Sequence, residues 1–252
     1  FMTPTYNKWC AAIKERPRRH RKQWEFVYIL QVLENAGLLR EGSRGIGFGV
    51  GVEPLPAVFA NFGCDIVATD LGVEDAKGLG WISTNQHARE LSQLNDRGIC
   101  PPEKFKKHVK FEPADMNQIS EHLTDESYDF TWSACSLEHL GTLKKGLNFV
   151  KNSLRCLKPG GIAVHTTEYN VGSNSDTLTE GGTVIYRQKD IENFISEIRH
   201  IGHEMTFNSA TGSHTLDKYF DVPPYREDFH LRLLIDPYIT TSVGLVIKKT
   251  EA

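Results

Sequence analysis

A chain of 252 residues, 39% hydrophobic and 24% charged, has the size of one large domain and the composition of an ordinary globular protein. Its net charge of −3 argues against a general nucleic-acid binder, and no apolar run approaches the ~20 residues of a membrane-spanning helix. The cysteines, Cys10, Cys64, Cys100, Cys135 and Cys156, are scattered without a CxxC pair, and the opening FMTPTYNKWC lacks a signal peptide's apolar core; both suit a cytoplasmic protein with reduced thiols.

In chain order, residues 1–40 read as a helical N-terminal cap. KQWEFVYILQVLENAGLL has apolar residues at helical spacing and stops near Gly37. The basic stretch RPRRHRK (16–22) reads either as a solvated helix start or as a contact for an anionic substrate or partner. Residues 41–252 then read as the main domain, alternating between strand and helix. RGIGFGVG is a strand running into a glycine loop, PLPAVFANFG a short helix ended by Gly63, and CDIVATDLG a buried strand ending at Asp70. VKFEPADMN is a strand ending near Asp115, and YDFTWSACSLEHLG a strand from Tyr128 to about Ser133 with a loop behind it. LKKGLNFVKNSLRCLKPGG is an amphipathic helix closed by Pro159, Gly160 and Gly161, and IAVHTTEYN is the next strand. RQKDIENFISEIRHIGH is a helix, and EMTFNSA and TTSVGLVIKK are the last two strands. This alternation implies a doubly wound α/β fold, a mostly parallel seven-stranded sheet with helices on both faces. Ligands of such sheets sit at the carboxyl ends of the strands.

RGIGFGVGVEPLP places glycine at alternate positions, Gly45, Gly47, Gly49 and Gly51. A strand feeding such a loop into a helix lets backbone approach a ligand closely. An acid at the end of the next strand, here Asp70, can take both hydroxyls of a ribose. A nucleoside-containing cofactor is therefore expected. The dinucleotide fingerprint, with glycines at positions one, three and six, fails in every register, and no GxxxxGKS or GxxxxGKT phosphate loop exists. Glu53 at the helix start disfavours a polyphosphate and suits a cationic or zwitterionic ligand.

With these motifs in order, residues 40–210 resemble the class I S-adenosylmethionine-dependent methyltransferases. GIGFGVG is similar to their glycine-rich first motif, ATD ending in Asp70 to their ribose-binding acid, and ADM, with Asp115 and Met116, to the segment flanking adenine. DFTWSACSLEHL, which contains Ser133, resembles the fourth-strand motif with its EH pair, and LRCLKPGGIAV the helix, turn and fifth strand. The resemblance implies a Rossmann-like fold, S-adenosyl-L-methionine as cofactor and S-adenosyl-L-homocysteine as product. It places cofactor contacts at Gly47, Gly49, Gly51, Asp70, Asp115, Met116 and Ser133. The family usually has an acid two positions before the first loop glycine. Gly45 stands there, and Glu53 is expected to supply that carboxylate, directly or through water. Read from the residues alone, Asp70 and Asp115 are also ordinary cap or turn residues, and Met116 ordinary packing.

Methyl transfer to a hydroxyl is an in-line displacement that also needs a base near neutral pH. His139, after the fourth strand in SLEHLG, is the expected catalytic base, supported by Glu138 or Glu168. His165 falls mid-strand and reads as a satisfied core histidine. Some members of the family use the EH pair to ligate a divalent cation such as magnesium. Glu138 and His139 match that pair, but Cys135 stands where a further Glu would be and no later His matches, so metal-dependent and metal-free readings both stand. Candidate walls of the acceptor pocket are residues 4–38 with Trp24 and Tyr28, WISTNQHA (81–88), and an insert near 211–240 carrying Tyr219, Tyr225, Arg226 and His230. Aromatics mixed with charge suit a sugar ring. SLEHLG, VHTTEYN and the tail also resemble methyltransferases associated with glycan synthesis, which implies O-methylation of a sugar or glycan hydroxyl. The alternatives are a small-molecule methyltransferase acting on a natural product, quinone or amine, and a non-catalytic S-adenosylmethionine-binding subunit. A nucleic-acid acceptor is kept open only by the basic stretch, and the failed glycine register weighs against an NAD-dependent oxidoreductase.

Overall fold

The structure is a computed structural model that describes residues 1, 3–78, 88, 90–210, 212, 214–226, 228–235 and 237–250. Most of WISTNQHA, and residues 211, 213, 227 and 236 of the 211–240 insert, lie outside the described residues. Strands β1 (Arg44–Phe48), β2 (Asp65–Asp70), β3 (Val109–Pro113), β4 (Tyr128–Ala134) and β5 (Leu157–Asn170) run parallel in the order β3-β2-β1-β4-β5. The other four are β6 (Glu204–Phe207), β7 (Phe220–Asp221), β8 (Arg232–Ile235) and β9 (Tyr238–Lys248). β9 lies antiparallel on β5, from Ile162 opposite Lys248 to Asn170 opposite Thr240. The outer side of β9 is divided: β6 pairs with residues 245–248 and β8 with residues 238–241, while β7 runs parallel along β8.

This is the expected Rossmann-like α/β architecture, with nine strands among the described residues where the sequence suggests seven. The two additional ones, β7 and β8, fall inside the 211–240 insert. At two and four residues they are too short for period-two alternation to register. A second difference lies at β5. Helix α6 (Leu143–Ser153) ends before the proline, a short 3-10 turn at Leu154–Cys156 follows, and the strand is already running at Leu157. Pro159, Gly160 and Gly161 lie inside β5, where the register with β4 slips between Tyr128 opposite Leu157 and Phe130 opposite Ile162.

Two cores cover the two faces. On one, α1 (Pro4–Ala12), α2 (Arg21–Asn35), α3 (Leu55–Asn61) and α5 (Pro102–His108) bury Trp9, Leu30, Leu33, Phe59 and Phe105 against Phe130 and Trp132. On the other, α6 and α7 (Gln188–His200) bury Phe149, Ile191, Phe194 and Ile198 against Phe48, Ile46 and Leu245. The remaining helix, α4 (Val73–Gly78), follows β2. Local chemistry sets the helix starts. Thr3 accepts from the Tyr6 amide at 3.2 Å with Pro4 at the first helical position, and His20 Nδ1 accepts from the Lys22 amide at 3.2 Å. All five cysteines are free and buried. No helix among the described residues is long and apolar enough to cross a membrane.

Candidate active site

The four glycines divide into two pairs. A Cβ at Gly45 would lie 2.4 Å from the Phe130 ring, and one at Gly47 2.2 Å from Trp132. Those two positions are bare so that the aromatic side chains of β4 can lie across β1. Gly49 and Gly51 instead have φ of +60° and +51°, the left-handed region that glycine enters without steric cost. The loop they make is pinned by the Val50 amide donating to Thr69 O at 3.1 Å and the Glu53 amide to Val50 O at 3.2 Å. Asp70, at the end of β2, braces it from the neighbouring strand. Its carboxylate accepts from the Gly51 amide at 3.0 Å, the Leu71 amide at 2.8 Å and the Ala88 amide at 3.3 Å.

Glu53 closes the other side of the loop. It is 6% exposed, and its Oε1 accepts from Trp132 Nε1 at 2.6 Å. Burial pushes its carboxyl up to about 8; the Trp132 hydrogen bond and Lys22 pull downward, while Asp70 and Glu25 push further up. Met116 is buried with its sulfur against Gly49, 3.1 Å from where a Cβ would stand. Asp115 is exposed and accepts from the Asn117 amide at 2.8 Å. Ser133 is buried within β4, its hydroxyl 2.8 Å from His165 Nδ1, and His165 Nε2 lies 3.2 Å from Ser153 Oγ. Burial brings His165 down to about 3, so it is a neutral core histidine, and the Ser133 hydroxyl serves that network rather than the loop.

The acceptor side is built from charge. β4 ends at Ala134, and Cys135 behind it has φ +48°, a strained backbone for a non-glycine residue. Its amide is held by Thr166 O and Oγ1, both at 3.1 Å, and its thiol donates to Glu25 Oε1 at 3.0 Å. Glu25, from α2, also accepts from Ser242 Oγ at 2.5 Å and pairs with Lys22 at 3.2 Å. Burial opposes its charge, but Lys22 and Arg21 hold it below the usual carboxylate range. Lys22 Nζ donates to Ala134 O at 2.7 Å, and Arg21 forms an ion pair with Glu168 near the end of β5. Glu138, in the 3-10 turn Leu137–His139, accepts from Thr167 Oγ1 at 3.2 Å. Glu25, Glu138 and Glu168 are all at most 1% exposed, and among the described residues Glu138 Oε1 and Glu168 Oε2 have no hydrogen-bond donor, nor does Glu25 Oε2 beyond its ion pair with Lys22. The sequence reading missed the whole of this constellation except Glu138 and Glu168. Its one legible signal was the basic stretch 16–22, which delivers Arg21 and Lys22 one helical turn from Glu25.

His139 turns the other way. Its Nδ1 lies 2.8 Å from Gly182 O and 3.3 Å from Thr183 Oγ1. Glu138 points inward to Thr167, so adjacent residues of one tight turn diverge. No group of three His, Cys, Asp or Glu among the described residues could hold a metal ion. The pair expected to ligate a divalent cation therefore does not fit one.

A cavity of about 340 Å³ opens beside the ionic cluster. Arg21 lines it and also holds Glu168; Ser242 lines it and also bonds Glu25. Trp24, Leu231, Arg232 and Thr241 also belong to its wall. A polar cavity of about 290 Å³, also bordered by Arg232, lies beyond the end of β5 around Asn170, Asn174 and Gln188. Of the other expected pocket residues, Tyr28 packs against Gly244, and Tyr219, Tyr225 and Arg226 are exposed. His230 stacks on His20 at 4.7 Å between ring centroids and bonds Asp221 Oδ2 at 2.7 Å, which ties the insert to the cap.

Comparison with known proteins bears on this geometry. A family model described as a methyltransferase domain matches residues 45–165. No curated protein matches the sequence. Among solved structures, the cyclase SpnF aligns with a TM-score of 0.59 at 15% identity, over 89% of this chain and 82% of that one. Phosphoethanolamine N-methyltransferase 2 of Haemonchus contortus, in complex with S-adenosyl-L-methionine, aligns at 0.56 and 16% identity, over 98% of this chain and 56% of that one. An S-adenosylmethionine-dependent methyltransferase from Mesorhizobium loti aligns at 0.53 and 12% identity, over 86% and 96%. At such identities the likeness is one of fold. Together, the matched domain and the sheet order place a methyltransferase domain at residues 45–165, within a Rossmann-like fold shared with solved S-adenosylmethionine-dependent methyltransferases.

Proposed function

We propose that the enzyme methylates a hydroxyl of a sugar or glycan in a cytoplasmic setting, with residues 1–40 serving as a cap over the acceptor and residues 41–252 as the methyltransferase domain. The observation that carries the reading is the pair of buried carboxylate oxygens without a donor, Glu138 Oε1 and Glu168 Oε2. A buried acceptor left unpaired costs about 1–3 kcal/mol or more, and a polyhydroxylated acceptor brings donors for both. The adjoining 340 Å³ cavity gives such a ring an entrance, with Trp24 offering an apolar face and Arg21, Arg232 and Thr241 polar edges.

On this reading Gly47, Gly49 and Gly51 give the cofactor an unobstructed backbone, Asp70 takes the ribose, Met116 and Asp115 flank the adenine, and Glu53 faces a cationic group. Ser133 contributes through its backbone, since its hydroxyl is bonded to His165. S-adenosyl-L-methionine supplies an activated methyl group and its own leaving group, S-adenosyl-L-homocysteine. The chain excludes water, orients the acceptor oxygen and takes its proton. His139 is the base, its ring oriented by the contact between Nδ1 and Gly182 O. Glu138 and Glu168 hold the neighbouring hydroxyls. No step passes through a metal, because Glu138 and His139 diverge.

A second reading is favoured by the excess of buried carboxylates over cations in the cluster: an amine acceptor, methylated on nitrogen, which needs less of a base. The deciding experiment is a panel of sugars, glycans and amines assayed with S-adenosyl-L-methionine, with and without chelator, for the native protein and His139→Ala. Turnover on hydroxyl acceptors that survives chelation and falls by about 10²–10⁴-fold in the variant supports the first reading. Turnover on amines that survives the substitution supports the second. Saturable cofactor binding with no turnover on any acceptor overturns both in favour of a binding subunit.

A further inference from the structure

The cofactor loop is bracketed by two buried carboxyl groups, Asp70 on β2 and Glu53 ahead of α3. No side chain can reach the loop from position 45, because the Phe130 ring fills the space a Cβ would need. The groups that face Glu53 come from three elements: Lys22 and Glu25 from α2, Asp70 from β2, and the Trp132 indole N–H from β4. Lys22 already holds Glu25 and the Ala134 carbonyl. An ionised Glu53 would then add a second buried carboxylate to Lys22, with the neutral Trp132 indole as the side-chain donor to its own oxygen, in a setting nearly closed to water. A proton on Glu53 relieves that imbalance in the empty site, and a bound cation relieves it equally well.

Building on the cofactor reading above, we propose that Glu53 recognises a cationic group of the cofactor and releases its proton to solvent as the cofactor binds. The balance is simple: the carboxyl O–H bond breaks, the proton goes to buffer, and the carboxylate pairs with the incoming charge without forming a covalent bond. The direction of the Glu53 shift agrees, since burial holds the group protonated at neutral pH. Two cofactor groups carry the required charge, the sulfonium and the α-ammonium. S-adenosyl-L-methionine has both and S-adenosyl-L-homocysteine only the second.

The test is calorimetric titration of the full chain with each ligand between pH 6 and 7.5, in two buffers of different ionisation enthalpy. This range keeps the ligands' own amino group largely protonated. The expected result is close to one proton released per S-adenosyl-L-methionine bound, with affinity rising about tenfold per pH unit. The same release with S-adenosyl-L-homocysteine assigns the ammonium as the partner, and release with S-adenosyl-L-methionine alone assigns the sulfonium. Glu53→Gln keeps an acceptor for Trp132 and is expected to bind more weakly with no release. Lys22→Met, which removes the charge that favours ionisation, is expected to move the pH dependence upward. Saturable, pH-independent binding without proton release, or release that persists in Glu53→Gln, overturns the inference and leaves the cofactor reading intact. Absence of any binding sinks the cofactor reading itself.

Discussion

The two halves of the carboxyl edge are made of different material. At β1 and β2 the working groups are main-chain amides and bare glycines, and Asp70 acts chiefly by holding amides in place. At β4, β5 and β9 they are charged side chains, with Arg21, Lys22 and Glu25 carried in by α2 to meet the buried Glu138 and Glu168. The family match runs from residue 45 to 165, so it takes in β1, β2, β4 and Glu138 and leaves α2 and Glu168 outside.

The contrast can be broken most forcefully at the ion pair. Arg21→Met leaves Glu168 buried without its cation and is expected to cost about 3–5 kcal/mol in urea unfolding. A change below ~1 kcal/mol would mean that the cluster is wet and loosely coupled. Next comes Glu53→Gln in the ligand-free protein. The folded carboxyl is pushed up to about 8 from 4.5, so the native chain loses stability as pH rises from 4.5 to 8 and is level above that. The variant lacks this loss, and its advantage in unfolding free energy should grow to about 2–4 kcal/mol by pH 8. An advantage that shrinks with pH would show the wrong sign for a buried acid. Asp70→Ala should weaken S-adenosyl-L-methionine binding on the order of 100-fold by calorimetry, since a charged brace for three amides is lost. Gly47→Ala forces the Trp132 ring aside at a cost of about 1–3 kcal/mol, read as a lowered Tm with cofactor affinity falling only in step. At the rim, Tyr225→Phe removes one exposed bond to Leu234 O and should change stability by less than ~0.5 kcal/mol.

The parallel strands and both principal faces could be read from periodicity, because each parallel strand is at least five residues long and β1, β2 and β4 are mostly buried. The glycine motif was legible as a loop, but its inner division was not. That Gly45 and Gly47 make room for Phe130 and Trp132, 85 positions away in each case, depends on which strands become neighbours. The acceptor side was hardest for the same reason. Glu25 meets Ser242 and Arg21 meets Glu168 only once α2 is laid across β5 and β9, and nothing local to either residue announces the pairing. The EH pair differs again: adjacency in sequence suggested one shared cation, whereas in the tight turn Glu138 bonds Thr167 and His139 bonds Gly182 O.

The interruption along the outer side of β9 reaches further than strand counting. β6 stops opposite Leu245 and β8 starts opposite Thr241, so the edge between them, residues 242–244, has no strand beside it among the described residues. Ser242 and Val243 from that gap line the cavity beneath α2. A sheet edge is normally a hazard that invites other chains to pair with it. Here it is divided between β6 and β8, which leaves a short rail of three residues at the cavity. The excursion from residue 208 to 231 leaves and rejoins the sheet on one strand, which lets its length and composition drift without disturbing the register that carries the chemistry. The wall of the pocket is thereby an exchangeable part, and the rail behind it stays where it is.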